Sequence, residues 1–377
     1  MLRSAIDGRD IRRDYSVTIV VLDTNAILPD FMLDGAHLIK LLIACRRLGI
    51  PVVIPSVVLD ELKWNHKQGI EKAISEIDLQ KAKLAKRGVK KVFPNVDIDE
   101  ECAAYAIHLD NVIEENSILI KEYPNVSAQE LVTAAYDNKK PFKDSGEGHK
   151  DYLIFKTVVD LIEEHNDDII FVTANHKDFC AKDKGLHPDL SSQVPEGHSV
   201  TVTPSPFHFY KDSLAGELEK LGSPKDPEKI VASIRDGSFI GFNLTDDLEN
   251  VLIEQVCEEG PDLDEISAPL NDTHATQLGV LEVGEIEVST LDDDLLNIDV
   301  YGRLDVELHG FMDKSDYYSA QDFEIEGVYV DDGDWNDWVV SAYVSKEPRF
   351  FLSVVFNQKN ESIQSASVEL SLDDQEF

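Results

Sequence analysis

The sequence predicts an α/β unit built on a parallel sheet, followed by a small acidic antiparallel β-domain. Three observations predict it. β-branched runs alternate with helical patterns over residues 1–206, the apolar period changes to two near residue 280, and negative charge gathers in the C-terminal half.

The elements follow in order. Residues 16–22 (SVTIVVL) form a continuous β-branched run that stops at Asp23-Thr24-Asn25, a buried strand feeding a turn. Residues 35–48 space Leu38, Leu41, Leu42 and Cys45 at helical intervals, and Gly49 closes them. A second strand, residues 51–54, meets Pro55-Ser56 and passes into a helix carrying Val58, Leu59 and Leu62. Parallel strands need such helical crossovers. Residues 62–143 read as a polar, mostly helical insert with no strand of comparable strength. Residues 144–147 open another helix, with Glu147 and Asp151 on one face. Its apolar positions are Tyr152, Leu153, Phe155, Val158, Val159 and Ile162, and it hands over to a third strand at residues 169–173. A turn and a short helix start follow at Ala174-Asn175-His176-Lys177-Asp178-Phe179, and a fourth strand at residues 200–206 closes the domain. Residues 207–279 read as a helical and mixed acidic connector, and residues 280–377 as the β-domain. Its strands fall near 280–289, 297–309, 323–330, 338–344, 350–356 and 365–372, with turns at Asp331-Asp332-Gly333-Asp334 and Lys346-Glu347-Pro348.

A chain of 377 residues exceeds one comfortable core, and 42% hydrophobic with 29% charged residues is a globular composition. The outlier is charge: 35 basic against 73 acidic side chains, net −38. Taken alone, that argues against a nucleic-acid enzyme, because nucleic acid and anionic membranes repel such a chain. The excess is uneven. Residues 1–200 hold 25 basic and 33 acidic side chains, net −8, which leaves 10 and 40, net −30, for the remainder. Cys45, Cys102, Cys180 and Cys257 lie far apart, which points away from a zinc cluster or a disulfide framework and toward a reducing compartment. Residues 1–7 lack the apolar core of a signal peptide, and no apolar run approaches the roughly 18 residues of a membrane span. A cytoplasmic protein with no membrane partner is expected, and homo-oligomerisation stays open.

In a parallel α/β sheet, residues just past the carboxyl ends of the strands gather on one edge, where ligands bind. Here that edge is acidic: Asp23 follows the first strand, Glu61 lies on the helix after the second, Asp178 follows the third, and Asp151 sits one turn into the helix leading to it. Clustered carboxylates repel unless some stay protonated or a cation joins them. A hard divalent ion prefers oxygen ligands and suits phosphodiester hydrolysis.

Four segments now carry a family resemblance. They are Val21-Leu22-Asp23-Thr24-Asn25; Pro55-Ser56-Val57-Val58-Leu59-Asp60-Glu61-Leu62; Asp144-Ser145-Gly146-Glu147-Gly148-His149-Lys150-Asp151; and Val172-Thr173-Ala174-Asn175-His176-Lys177-Asp178-Phe179. In this order they resemble the signature segments of PIN-domain nucleases over roughly residues 15–205. The resemblance implies a three-layer α/β/α fold and Mg²⁺- or Mn²⁺-dependent endonuclease activity, with RNA the usual substrate and a stress or defence role in view. It implies Asp23, Glu61 and Asp151 as metal carboxylates, with Asp178 and Asn175 completing the set and Asn25, Thr173 and Glu147 in support. Many members carry an acid where Asn175 stands, so either Asn175 and Asp178 share the second ion or a single ion binds tightly. The long insert and the C-terminal extension resemble a larger bacterial branch.

Structural readings stand beside these. Asp23 and Asn25 suit a turn and helix cap, Asp144 with Glu147 and Asn175 with Asp178 suit capping boxes, and Asp60 competes with Glu61 for the site. His66, His149 and His176 lie near the segments without being required by them. Residues 63–91 carry nine Lys/Arg against three acids, a local net of +6 that begins at Lys63 and Lys67. That is either a solvated helix face or a phosphate-tracking arm. The acids at 331–334, beside Trp335 and Trp338, fit a charged turn better than a Ca²⁺ loop. The acidic half is expected to dock on the basic arm or on a basic protein partner and regulate the enzyme, or to serve solubility alone. Two other readings compete: a degenerate, non-catalytic interaction module, and a phosphotransfer domain built on Asp23, weakened by the lack of a second nearby Asp and of a Gly-rich phosphate loop.

Overall fold

A computed structural model describes residues 18–89, 96–137, 139–143, 145–182, 185–244, 246–247, 250–251, 270–315, 328–332 and 338–372, with the backbone alone at 271–281 and 331–332. Several expectations fall outside these residues: Gly333, Asp334 and Trp335 of the acidic turn, Asp144, Lys90 and Lys91 of the basic run, Cys257, and the first part of the 323–330 strand.

The chain divides into two compact units, one of residues 1–34 and 41–216, the other of residues 35–40 and 217–377. The first runs β1 (Thr18–Leu22), α1 (Thr24–Ile27), α2 (Ala36–Leu48), β2 (Val52–Pro55), α3 (Ser56–Lys86), α4 (Ile98–Glu115), β3 (Leu119–Lys121), α5 (Ala128–Tyr136), α6 (His149–His165), β4 (Asp168–Val172), α7 (His176–Phe179), α8 (Pro188–Ser191), β5 (Val200–Thr203) and α9 (Pro206–Phe209). A π-helical turn, Tyr210–Leu214, then leads into α10 (Ala215–Leu221). The five strands are all parallel in the order β3-β2-β1-β4-β5. This is the expected α/β/α architecture. Its central strands β1 and β2 are buried almost throughout, as continuous apolar runs covered on both faces must be.

Within the first unit the sequence expectation differs in two places, and in the second unit the first strand begins at Asn271, inside the expected 207–279 connector. The insert supplies a fifth strand, β3, of only three residues at the sheet edge, too short to carry a pattern. The helix expected from residue 144 begins at His149, so Glu147 precedes it and does not share a helical face with Asp151. The start is set by Gly148, whose φ of +119° and close approach to Pro141 O, 2.7 Å from where a Cβ would stand, admit no side chain. α3 buries Val57, Val58, Leu59 and Leu62 and then runs on as a long polar helix, because the sequence beyond Leu62 offers no apolar stripe.

The second unit adds α11 (Pro227–Arg235) and the strands β6 (Asn271–Asp292), β7 (Leu295–Asp313), β8 (Val328–Asp332), β9 (Val339–Lys346), β10 (Arg349–Asn357) and β11 (Ser362–Ser371). β7 organises the antiparallel sheet. Residues 295–303 pair with β10, residues 306–313 pair with β9, and β6 lies along the opposite edge. Even-numbered residues of β7, Leu296 through Met312, point into an apolar core with Phe350, Leu352, Val354 and Phe356, the period of two that the sequence shows. Gly302 is required in that run, since a Cβ would strike Glu282 O at 2.2 Å. Odd-numbered Asn297 and Asp299 are also buried. Asp299 stands opposite Ser353 and receives the Lys40 amine at 2.5 Å. Among the described residues no helix is long and apolar enough to cross a membrane.

Candidate functional site

The strand order reverses between β1 and β4, and the acids gather at their carboxyl ends, where such a sheet opens a crevice. Asp23 immediately follows β1 and is fully buried. Its backbone N–H donates to Val172 O at 2.9 Å, so the two strands hold its position through the sheet ladder. Its carboxylate accepts from Thr173 Oγ1 at 2.6 Å and from the Thr24 backbone N–H at 2.8 Å. Burial pushes the Asp23 carboxyl up to about 6; the Thr173 hydrogen bond opposes this, the charge of Asp151 adds to it, and Thr24 and Asn25 hold it down.

Asp151 lies in the first turn of α6, where the helix dipole favours an anion. Its carboxyl is also pushed up to about 6, chiefly by burial and then by the charges of Asp178 and Glu61; the Asn175 hydrogen bond and Lys143 pull the other way. Asp151 therefore links the predicted acids: it feels the charges of Asp178 and Glu61, and Asp23 feels that of Asp151. Asp178, in α7, is buried and lies 3.3 Å from Lys140 Nζ and 3.6 Å from Lys143 Nζ. Glu61, on α3, accepts from Thr24 Oγ1 at 2.8 Å and pairs with Lys150.

These contacts decide several open alternatives in position. Glu61 faces the cluster, whereas Asp60 accepts from Tyr123 Oη at 2.6 Å. Asn175 does not cap α7 with its side chain; its Nδ2 donates to Asp151 Oδ1 at 3.2 Å, and its backbone N–H donates to Thr173 Oγ1 at 3.0 Å. Glu147 contributes its carbonyl to the Lys143 N–H in the loop before α6. The three histidines engage other partners: His66 stacks on Tyr105, His149 meets Phe142 edge-on, and His176 contacts Cys180. Lys67 forms an exposed pair with Glu71 at 3.9 Å, on the same long helix as Lys63.

Sequence reasoning missed Lys140, Lys143 and Lys150. Isolated lysines in loops and at a helix start carry no period, and only the neighbouring glycines and Asp151 mark the segment. The 139–148 loop is folded on itself by Phe142 N–H to Lys139 O, Lys143 N–H to Glu147 O and Gly146 N–H to Lys143 O, which aims two of these lysines at Asp178.

Carboxylates gathered at one edge are the right donors for a hard divalent cation, and an all-oxygen set suits Mg²⁺ or Mn²⁺. Among the described residues, however, no three His, Cys, Asp or Glu side chains stand as a formed coordination group. The oxygens are instead engaged by Lys140, Lys143, Lys150, Thr24, Thr173 and Asn175.

An open parallel sheet with an acidic crevice at its switch point defines the class of α/β proteins that handle ligands at the strand carboxyl ends. Residues 20–179, most of the N-terminal unit, match the family model described as PIN domain, a family whose function is generally of nuclease type. No curated protein and no solved structure matches the chain.

Proposed function

We propose that the PIN unit is a Mg²⁺- or Mn²⁺-dependent endonuclease that hydrolyses phosphodiester bonds, with RNA preferred over DNA. The observation that carries this reading is the convergence of four acids at the switch point: Thr173 on Asp23, Asn175 on Asp151, Thr24 on Glu61 and the lysines on Asp178 hold them there, and Asp151 feels the charge of Glu61 and Asp178. These four acids, with Asn175 nearby, are the residues that would hold the ion. When bound, a divalent cation supplies Lewis-acid stabilisation of charge on the phosphate and lowers the pKa of water. The chain's own part is orientation. Thr173, Thr24 and Asn25 fix the Asp23 carboxylate, Asn175 fixes Asp151, and Thr24 fixes Glu61. Lys140, Lys143 and Lys150 balance the acids and present amines to phosphate oxygens.

Asp23→Asn and Asp151→Asn should each lower Mn²⁺-stimulated cleavage of an oligoribonucleotide by at least about 100-fold, the scale of losing one preorganised electrostatic group. Full activity in both variants would sink the mechanism, and matched ribose and deoxyribose substrates would separate RNA from DNA. The acidic C-terminal half is proposed to regulate this activity in the cytoplasm. A second reading, a non-catalytic module binding a basic partner, is favoured by the lack of a formed coordination group among the described residues. It predicts no cleavage with any divalent ion.

A further inference from the structure

Trp64 sits three residues beyond Glu61 on α3, one helical turn from the acid cluster, and leaves 58% of its surface exposed. An indole left exposed beside charged groups offers a flat apolar face on which a flat ligand can stack. Lys150 joins the two features: the amine that pairs with Glu61 stands 5.9 Å from the centroid of the Trp64 ring. Tyr123 meets the same turn of α3 at Asp60. It lies two residues past the carboxyl end of β3, is 49% exposed, and is held by its hydroxyl on Asp60, the neighbour of Glu61. Lys63 and Lys67 continue the helix on either side of Trp64. Aromatic faces interleaved with amines along one edge are what a single strand engages: bases stack on the rings while phosphates meet the lysines. A duplex keeps its base faces covered and cannot use an indole in this way.

We propose that Trp64 is a stacking platform for an unpaired base of a single-stranded nucleic acid whose adjacent phosphate is held by Lys150. This rests on the nuclease reading for the edge it serves and adds the residues that tell an unpaired base from a paired one, Trp64 with Lys150. The platform is a positioning device; Trp64 touches no acid and takes no part in proton transfer.

The full chain carrying Asp151→Asn, which keeps substrate intact, should be titrated with dye-labelled single strands and with the duplex of the same sequence, in RNA and DNA forms. Fluorescence anisotropy reads binding without reference to cleavage. Adding Trp64→Ala should weaken single-strand binding about 5- to 100-fold, the range for losing one base–aromatic stack, and leave duplex binding unchanged. Trp64→Phe should restore most of the affinity. Lys150→Ala should weaken both and lower the salt dependence by about one counterion. Thermal unfolding of each variant checks the fold, which an exposed Trp64 does not support.

Unchanged single-strand binding by Trp64→Ala, or equal losses on single strand and duplex, would overturn the platform. An unaltered salt slope in Lys150→Ala would overturn its phosphate contact. The two readings fail separately. A chain that loses single-strand binding with Trp64→Ala but never cleaves keeps the platform and loses the nuclease. One that loses cleavage with Asp151→Asn but ignores Trp64→Ala does the reverse.

Discussion

The crevice of the PIN unit and the Lys40 pocket of the β-unit both bury charge, and they do so in opposite ways. In the β-unit the arrangement is balanced. Lys40, 2% exposed, meets Asp299 at 2.5 Å and also contacts Ser353; Ser353 donates to the same Asp299 oxygen at 2.9 Å, and Asn297 donates to the other at 2.6 Å. Burial pushes the Lys40 ammonium below its ordinary range, and Asp299 holds it up. In the crevice the balance fails. Asp151 acts on Asp23 and is acted on by Glu61 and Asp178, and the neighbouring cations, Lys140, Lys143 and Lys150, are partly or largely exposed and carried by a loop or a helix start. One buried cation for one buried anion is a structural solution. Two buried and two half-buried acids faced by more exposed lysines are the arrangement that the proposed cation would complete.

That contrast can be broken by substitution. The largest expected effect is Lys40→Ala, which strands Asp299 without its partner and should destabilise by about 3–5 kcal/mol in denaturant unfolding. Replacing Lys40 by Met together with Asp299 by Leu should recover most of the loss; no recovery would mean that the pair does more than satisfy its own charges. Next, Gly148→Ala forces a side chain into left-handed backbone against Pro141 O and should cost about 2–3 kcal/mol while displacing the lysine-bearing loop. A variant as stable as the parent would show that the loop yields easily.

The crevice makes a prediction in pH. Without divalent ions the folded Asp23 and Asp151 hold protons up to about pH 6, which the unfolded chain releases near pH 4. The folded state therefore binds more protons between these values. The stability from protonation is full below about pH 4 and is lost as pH rises through 6, on the order of 3 kcal/mol for either group alone and less than additive for the coupled pair. In a chelator, Tm measured against pH should climb on acidification through this window before general acid unfolding sets in. In Asp151→Asn that climb should shrink. A flat parent profile would mean that the acids do not act together. The smallest effect is expected for Lys150→Ala, which should change stability by no more than about 0.5 kcal/mol because its amine is 60% exposed. A larger loss would make this lysine a structural partner of Glu61.

Much of this was legible in the sequence because it repeats. The β1 run ending at Asp23 announces a strand edge, Asp151 and Asp178 follow at fixed offsets from apolar patterns, and the even-numbered residues of β7 write out the second core. What lacks a period stayed hidden. β3 is three residues long, and the start of α6 depends on a single glycine contact. Asn175 resembles a cap until its amide is seen on Asp151. Lys40 lies within an amphipathic helix pattern, and only long-range pairing brings it to Asp299. The choice of Glu61 over Asp60 likewise depends on Thr24 and Tyr123, each far away in the chain.

The central claim is that surplus carboxylates at the β1–β4 switch point await a divalent cation. Calorimetric titration of the full chain with Mn²⁺ at neutral pH tests it most directly. Saturable uptake that disappears in Asp151→Asn is the predicted result. No uptake by the parent, or the same uptake by parent and variant, would contradict it.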